Sequence, residues 1–225
     1  MNRMQPFTDP ATVARYAEST PRRVPGFADL HRMAMVLLAE HAPEAANILV
    51  VGAGGGLELK AFAEAQQDWR FVGVDPSLEM LDLARRTLGP LQQRVELHRG
   101  YIDTAPTGPY DGATCLLTLH FLERDERLRA LQEIRQRLKP GAPLIVAHHS
   151  CPEGGEIRRW LSRSIAFADE ARVDFAAAAM SASAMSSRLP ILSVDQDEAI
   201  LREAGFYNVA LFYAGFTFHG WVAAA

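Results

Sequence analysis

Residues 50–60, the most informative segment of the sequence, read VVGAGGGLELK. A short apolar run that begins at Asn47 leads into glycines, and apolar residues at helical spacing follow them. Glycines lack side chains and let a ligand approach the backbone closely, and a helix N-terminus offers N–H groups that have no partner within the helix. The pattern therefore predicts a strand, a ligand-binding turn and a helix.

The spacing of the glycines distinguishes two classes of ligand. The dinucleotide fingerprint G-x-G-x-x-G requires a glycine at position 57, where this chain has Leu57. The next predicted strand ends at Asp75, about 20 residues past the loop, where an acid can accept both hydroxyls of a ribose. Sites for S-adenosylmethionine and for NAD both use such an acid. The missing glycine favours the sulfonium cofactor, which has no pyrophosphate to place at the helix end.

Strand and helix patterns alternate outward from this loop. Strands are predicted at residues 47–51, 70–74, 94–98, 111–119 and 143–148, with helices at 56–66, 77–88 and 124–138. A capping-box pattern at Ser193 predicts a helix that ends at Gly205, and residues 207–213 and 216–222 are typical of an antiparallel pair. We therefore expect an α/β fold, a doubly wound seven-stranded sheet that is mostly parallel, with an antiparallel C-terminal hairpin and helices on both faces.

Two segments lie outside this alternation, within a single predicted domain of residues 1–225. Residues 1–46 contain several prolines and then an apolar helix at about 27–42, which predicts an N-terminal helical cover. Residues 152–192 are rich in Ala, Met and Ser and predict close-packed helices. We expect these helices to form an insertion or lid. Their role could be plain packing, covering of a substrate or a dimer surface, and the sequence leaves all three open.

Composition limits the classes of protein. The chain has 225 residues, 48% of them hydrophobic, and 23 basic against 27 acidic residues give a net charge of −4. Without a basic block, a nucleic-acid partner is not expected. Cys115 and Cys151 are too few for a disulfide framework and lack zinc-site spacing, and no apolar run is long enough for a membrane span. We expect a cytoplasmic monomer or homodimer without a metal.

Five segments of the chain resemble the class I S-adenosylmethionine-dependent methyltransferases, in the family's order and spacing. They are residues 48–56 (ILVVGAGGG), 73–77 (GVDPS) followed by Met80, 100–103 (GYID), 110–118 (YDGATCLLT) and 138–146 (LKPGAPLIV). This resemblance covers roughly residues 45–150. It implies a Rossmann-like fold and a transferase that uses S-adenosyl-L-methionine.

The resemblance also implies roles for individual residues. Gly52, Ala53 and Gly54 would line the methionine part of the cofactor, and Asp75 would hold the ribose diol. The chain departs from the family at Val50, where an acidic residue is common. The cofactor's ammonium must therefore rely on backbone carbonyls or on another side chain.

Further residues would surround the rest of the cofactor. Those expected near the adenine are Pro76, Met80, Ile102 and Asp103, and those expected beneath the sulfonium are Leu117 and Thr118. An N-terminal helix often covers this kind of site, so Tyr16 and Arg23 are candidate contacts for the cofactor's carboxylate.

A looser similarity extends over nearly the whole chain to the carboxy-S-adenosylmethionine synthases of tRNA wobble-uridine modification. It is carried by residues 22–27 (RRVPGF), 119–123 (LHFLE), 203–206 (EAGF) and 212–218 (FYAGFTF). That family reads the carboxylate of its special ligand with an arginine in a Lys-Arg-Ser segment. The matching position here is near Ala182, with only Arg188 nearby. The similarity therefore implies a shared scaffold without the carboxylate-reading residue.

Methyl transfer is an in-line attack on a sulfonium methyl, and positioning of the acceptor supplies much of the rate. A base helps when the nucleophile is a hydroxyl or a protonated amine. His120, His148 and His149 follow predicted strands and are candidates, and His120 is favoured because it comes directly after Leu117 and Thr118. His148 and His149 are adjacent strand residues that point to opposite faces, which disfavours a shared metal.

The leading prediction is a methyltransferase for a small-molecule acceptor. One alternative is a carboxy-S-adenosylmethionine synthase or a related tRNA-modification enzyme. Another is a non-catalytic partner protein that binds the cofactor. An oxidoreductase is less favoured because the dinucleotide fingerprint is incomplete.

Overall fold

Seven strands form one sheet in the computed structural model, which describes residues 7, 9–152, 156–169 and 171–225. The strands are β1 (Asn47–Val51), β2 (Arg70–Asp75), β3 (Val95–Arg99), β4 (Gly112–Leu116), β5 (Pro143–His149), β6 (Tyr207–Gly215) and β7 (Phe218–Ala224). Their order in the sheet is β3-β2-β1-β4-β5-β7-β6. The first five are parallel, and β7 runs antiparallel to both β5 and β6. The predicted fold class is thereby confirmed.

Helices cover both faces of this sheet. They are α1 (Pro10–Arg23), α2 (Phe27–Ala39), α3 (Leu57–Ala65), α4 (Leu78–Leu88), α5 (Arg124–Gln136), α6 (Ile157–Phe167), α7 (Phe175–Ser186) and α8 (Val194–Glu203). One apolar core packs α5 and α8 against the sheet, and the other packs α2 and α3 against the opposite face. In the described ranges, no helix has the length and apolar character needed to cross a lipid bilayer.

The local signals in the sequence mostly predict the right elements. The capping box at Ser193 is present, with the Ser193 hydroxyl and the Gln196 side chain each accepting from the other residue's backbone N–H. The predicted fourth strand is too long, because β4 ends at Leu116 and Leu117 has a positive φ of 56°. The predicted helix at 27–42 ends earlier, at Ala39.

The position of β1 in the sheet creates the main crevice of the fold. β1 lies between β2 and β4, so the chain crosses to one side of β1 first and to the other side later. Ligands of open α/β sheets bind outside the carboxyl ends of the strands at such a switch point. The loops that follow β1, β2 and β4 therefore meet at one edge of the sheet.

The two flanking segments are helical where the structure describes them. Residues 1–6 and 8 of the predicted cover, and residues 153–155 and 170 of the predicted insertion, lie outside the described residues. Helix α1 contacts α4 and α2, whereas α6 and α7 pack mainly against each other. Their roles as cover and lid stay predictions.

A buried ion pair ties the helical layer to the sheet. Arg127 on α5 and Asp197 on α8 form a salt bridge, and each side chain is only 1% exposed. His148 on β5 joins them, with its Nε2 atom 3.2 Å from Asp197 Oδ1. The Arg127 guanidinium also donates to the carbonyl oxygen of Pro190 at 3.1 Å. Removing one member would leave a buried charge without its partner.

We expect Asp197→Ala to lower the free energy of unfolding by about 3–5 kcal/mol, because it leaves the Arg127 guanidinium buried and unpaired. Chemical denaturation measures this loss. The matched control is Asp195→Ala, an exposed residue in the first turn of the same helix, which should cost no more than about 1 kcal/mol. Equal small losses for the two variants would contradict a structural role for the ion pair.

Candidate functional site

A cavity of about 590 Å³ lies at the carboxyl ends of β1, β2 and β4. Its wall combines the loops after these strands with one face of α5 and part of the N-terminal segment. Nine of the predicted cofactor residues lie in this wall: Gly52, Gly54, Asp75, Pro76, Met80, Ile102, Asp103, Leu117 and Thr118. The structure therefore brings together residues that are up to 66 positions apart in the sequence (118 − 52).

The glycine loop needs glycine for two separate reasons. Gly52, Gly54 and Gly56 have positive φ values of 75°, 48° and 78°, a region that other residues rarely adopt. A Cβ atom on Gly52 would also lie 1.9 Å from Oγ1 of Thr118, which is closer than any real contact. The missing side chain thus allows the loop after β1 to pass directly against the loop after β4.

Asp75 holds two of these loops together. Its carboxylate accepts the backbone N–H of Gly54 through Oδ2 and that of Ser77 through Oδ1, each at 2.9 Å. Burial raises the pKa of this carboxyl group, and the two hydrogen bonds oppose that rise. An ionised carboxylate offers about four acceptor positions, so acceptor capacity remains for a ligand in the cavity.

Two predicted cofactor residues do not reach the cavity. Ala53 is buried, its N–H donates to the carbonyl oxygen of Val74 at 3.0 Å, and its methyl group belongs to the core beneath α3. Arg23 lies in the exposed last turn of α1 and is not among the residues of the wall. Tyr16, the other candidate on α1, does line the cavity.

The turn after β4 forms the floor of the cavity. Leu117 adopts its positive φ while its N–H donates to the carbonyl oxygen of Ala147 on β5 at 2.6 Å. The Thr118 hydroxyl donates to the Leu116 carbonyl oxygen at 3.0 Å, and a 3-10 turn follows at Leu119–Phe121. A left-handed conformation is unusual for leucine and is found where a functional loop is held under strain.

The N-terminal segment closes one side of the cavity. The carbonyl oxygen of Phe7 accepts the Ser77 hydroxyl at 2.8 Å, and the Phe7 ring packs edge-on against Phe121 at 5.4 Å and Tyr16 at 6.2 Å. Burial, followed by the charges of Asp75 and Glu58, raises the pKa of Tyr16 to about 12. The Tyr16 hydroxyl is therefore protonated at neutral pH and can donate a hydrogen bond.

One wall of the cavity has no counterpart in the predicted site. It is the polar face of α5, formed by Glu126, Arg129, Ala130, Gln132, Glu133 and Gln136. Spacings of three and four residues place such side chains on one face of a helix, which is the signal that could have indicated a common surface. The sequence pattern alone does not indicate which face of α5 borders the cavity.

His120 lies behind the cavity wall and is not part of it. Its ring is buried, lies 4.8 Å from the His149 ring, and its Nδ1 accepts the backbone N–H of His149 at 3.4 Å. Burial, followed by the charges of His149, His148 and Arg127, lowers the pKa of His120 well below the usual value. Because Nδ1 is an acceptor, the neutral ring carries its proton on Nε2. The role of general base stays a prediction that this geometry does not support.

The other two candidate histidines point to opposite faces of β5, as predicted. His148 joins the Arg127–Asp197 pair, whereas Nδ1 of His149 is hydrogen-bonded to the Thr217 hydroxyl at 2.8 Å. Burial lowers the pKa of His149 to about 3. In the described part of the chain, no three His, Cys, Asp or Glu side chains are grouped so that they could hold a metal ion.

Comparisons with known proteins agree with this geometry. Residues 48–141 match a family model described as a methyltransferase domain. A carboxy-S-adenosyl-L-methionine synthase of Chromohalobacter salexigens is 24% identical over 220 residues, which are 96% of this chain and 82% of that protein.

Two solved structures are also similar. PigF with SAH aligns at a TM-score of 0.69 and 18% identity, covering 99% of this chain and 62% of the other. An O-methyltransferase family 2 protein from Planctomyces limnophilus, in complex with apigenin, aligns at 0.61 and 18% identity, covering 88% and 61%. This chain thus spans less than two thirds of the length of either solved protein.

Residues 48–141 therefore match a methyltransferase domain, and the chain has the fold of the class I S-adenosylmethionine-dependent methyltransferases. PigF, which has this fold, was solved with SAH. The cavity fits S-adenosyl-L-methionine, because it combines glycine backbone at Gly52 and Gly54, a carboxylate at Asp75 and apolar surfaces at Met80 and Ile102.

Gly52→Ala tests the close approach of the two loops. We expect it to abolish measurable binding of S-adenosylhomocysteine and to lower the melting temperature, since its Cβ atom would displace Thr118. Gly89→Ala is the control: Gly89 also has a positive φ, of 51°, but no atom of the described residues lies within 4 Å of the position that its Cβ would take. With a ψ of −125°, Gly89 lies in a region that residues other than glycine rarely adopt, so this variant should show only the backbone cost, about 1–3 kcal/mol. Unchanged binding of S-adenosylhomocysteine by Gly52→Ala would show that the close approach of the two loops is not required for the site.

Proposed function

Because residues 48–141 form a methyltransferase domain, we propose that the 590 Å³ cavity binds S-adenosyl-L-methionine and that the protein methylates a small-molecule acceptor. The observation that carries this proposal is the meeting of the glycine loop, Asp75 and the turn after β4 around one cavity. Its volume lies within the range of about 300–1,000 Å³ that is usual for small-molecule sites.

We assign the adenosine half of the cofactor to the side of the cavity formed by the loops after β2 and β3. The free acceptor positions of the Asp75 carboxylate suit the ribose hydroxyls. Met80 and Ile102 are buried apolar residues of the wall that suit the faces of the adenine ring. Asp103 is exposed at the edge of the same wall and suits the adenine amino group. Pro76 completes this side.

The methionine half belongs to the glycine loop in this proposal. Gly52 and Gly54 leave the backbone accessible. The Tyr16 hydroxyl can donate a hydrogen bond to the carboxylate of the cofactor. Arg23 was predicted to make the same contact, but its exposed place at the end of α1 gives that role no support.

S-adenosyl-L-methionine supplies an electrophilic methyl group and leaves as a neutral thioether, so the protein need not protonate the leaving group. What remains for this chain is to orient the acceptor and to exclude water. Leu117, Leu119 and Phe121 present an apolar surface at the turn after β4. We therefore assign catalysis mainly to positioning, with His120 as a structural neighbour of that turn.

Several observations favour a small acceptor over a macromolecular one. The net charge is −4, and Arg129 is the one basic side chain of the cavity wall among the described residues, against four acidic ones. The similar protein from Planctomyces limnophilus was solved with apigenin, a small aromatic compound. We also propose a cytoplasmic location and a monomer or homodimer, in keeping with the composition.

A second candidate is a carboxy-S-adenosylmethionine synthase, because the similarity to that enzyme extends over 96% of this chain. Against it stands the position near Ala182, which would carry the carboxylate-reading arginine. Ala182 is fully buried in α7, and Arg188 beyond it is exposed. A non-catalytic cofactor-binding partner is the third candidate, and nothing specific favours it.

Mass spectrometry of the ligand that co-purifies with the protein separates the first two candidates. We expect S-adenosylmethionine or S-adenosylhomocysteine, because the position near Ala182 carries no arginine that could bind an added carboxylate. A carboxylated cofactor as the main species would favour the synthase and contradict the methyltransferase proposal.

The assignment of Asp75 is tested by calorimetry with S-adenosylhomocysteine. We expect Asp75→Asn to weaken binding by about 2–3 kcal/mol, roughly 30–150-fold, because a charged acceptor of the ribose hydroxyls is lost. Asp82→Asn, at a half-exposed residue on α4, should leave binding unchanged. Melting temperatures of both variants monitor the loops that Asp75 also holds. Wild-type affinity in a folded Asp75→Asn protein would exclude the ribose contact.

A further inference from the structure

Glu58 is a buried carboxyl group directly behind the glycine loop. It lies in the first turn of α3, two residues after Gly56, and is only 7% exposed. Its Oε1 atom has no hydrogen-bond partner among the described residues. A buried carboxylate without a partner is costly, and such groups are normally retained only where they are paired.

The surroundings of Glu58 connect it to the cavity. Burial is the main cause that raises the pKa of the Tyr16 hydroxyl and of the Cys115 thiol. The charge of Glu58 adds to both, after that of Asp75 for Tyr16, and both side chains line the cavity. Thr114 lies next to the Glu58 carboxyl group and lowers its pKa, although the Thr114 hydroxyl has no hydrogen-bond partner among the described residues either. Thr114 pairs with Val50 in the β1–β4 ladder. Glu58 therefore lies beside the strand position that leads into the glycine loop.

We propose that Glu58 is the anionic partner of the α-ammonium group at the amino-acid end of the bound cofactor, an assignment that rests on the proposed function. Val50, on the strand that leads into the loop, offers no charge. Of the acidic residues in the cavity wall, Asp75 is engaged with the Gly54 and Ser77 N–H groups on the ribose side. Glu58 is not itself a residue of the cavity wall, but it is the buried carboxyl group that follows the glycine loop, on the methionine side of the cavity.

The pKa of Glu58 is consistent with a carboxyl group that lacks a positively charged partner in the ligand-free protein. Burial raises it from the usual 4.5 to about 7 in the protein without ligand. A bound ammonium group would favour the ionised form of Glu58, because its positive charge would compensate the buried carboxylate. The groups that face Glu58 do not supply that charge: the raised pKa values of Tyr16 and Cys115 keep both neutral near pH 7.

The same groups predict how stability depends on pH. A carboxyl pKa that is higher in the folded than in the unfolded protein lowers stability as the pH rises from the unfolded value, about 4.5, to the folded value, about 7, and the full cost remains above that. Glu58→Gln removes this cost, so the ligand-free variant should melt at a higher temperature than wild type at pH 8, with a smaller difference at pH 5. His31, which faces α3 from α2, has its pKa lowered to about 4 by burial and is neutral at both pH values. Asp75, facing from β2, has a raised pKa and is unchanged by the substitution.

Binding of three ligands to Glu58→Gln tests the proposal. S-adenosylmethionine carries an ammonium and a sulfonium, S-adenosylhomocysteine only the ammonium, and 5′-methylthioadenosine neither. We expect roughly 10- to 100-fold weaker binding of the first two, as for loss of a charged hydrogen bond, and unchanged binding of the third. Glu64→Gln, at an exposed residue of the same helix, should bind all three like wild type.

The outcomes separate this inference from the proposed function. Equal losses for all three ligands, or a lower melting temperature at pH 8, would show a structural role and overturn the inference. A loss confined to S-adenosylmethionine would assign Glu58 to the sulfonium and also overturn it, as would no loss at all. If the wild-type protein bound none of the three, the proposed function would fail and the inference with it.

Discussion

The carboxylate of Asp75 is the interaction on which the rest of the site depends. Through one oxygen it holds the N–H of Gly54 in the loop after β1, and through the other it holds the N–H of Ser77 at the start of α4. Charge-assisted hydrogen bonds of this kind are stronger than neutral ones, and burial strengthens them further. Two loops from neighbouring strands are thus fixed before any ligand arrives.

A second constraint comes from the close approach of the loops after β1 and β4. Gly52 and Thr118 are in contact that a methyl group would prevent, and Leu117 holds a left-handed backbone next to it. Together, this contact and the hydrogen bonds of Asp75 hold the loops after β1, β2 and β4, which form the cavity. A rigid frame of this kind suits a reaction in which positioning of the acceptor supplies most of the rate.

Local signals in the sequence were the most informative. Glycine spacing, strand ends and a capping box predicted the sheet, the glycine loop and the position of Asp75, because each depends on neighbouring residues. The family resemblance implied several further residues of the cavity wall. The predicted end of β4 was wrong, since the left-handed turn at Leu117 depends on a hydrogen bond to Ala147 on another strand. The α5 wall and the burial of His120 behind His149 could not be predicted, because they depend on packing between distant segments.

The most direct test of the cavity as the cofactor site is a crystal structure of the protein with S-adenosylhomocysteine. We expect the ribose hydroxyls within hydrogen-bond distance of Asp75, the adenine between Met80 and Ile102, and the thioether sulfur facing Leu117 and Thr118. A ligand bound elsewhere, or one whose ribose faces away from Asp75, would contradict the assignment of this cavity to the cofactor.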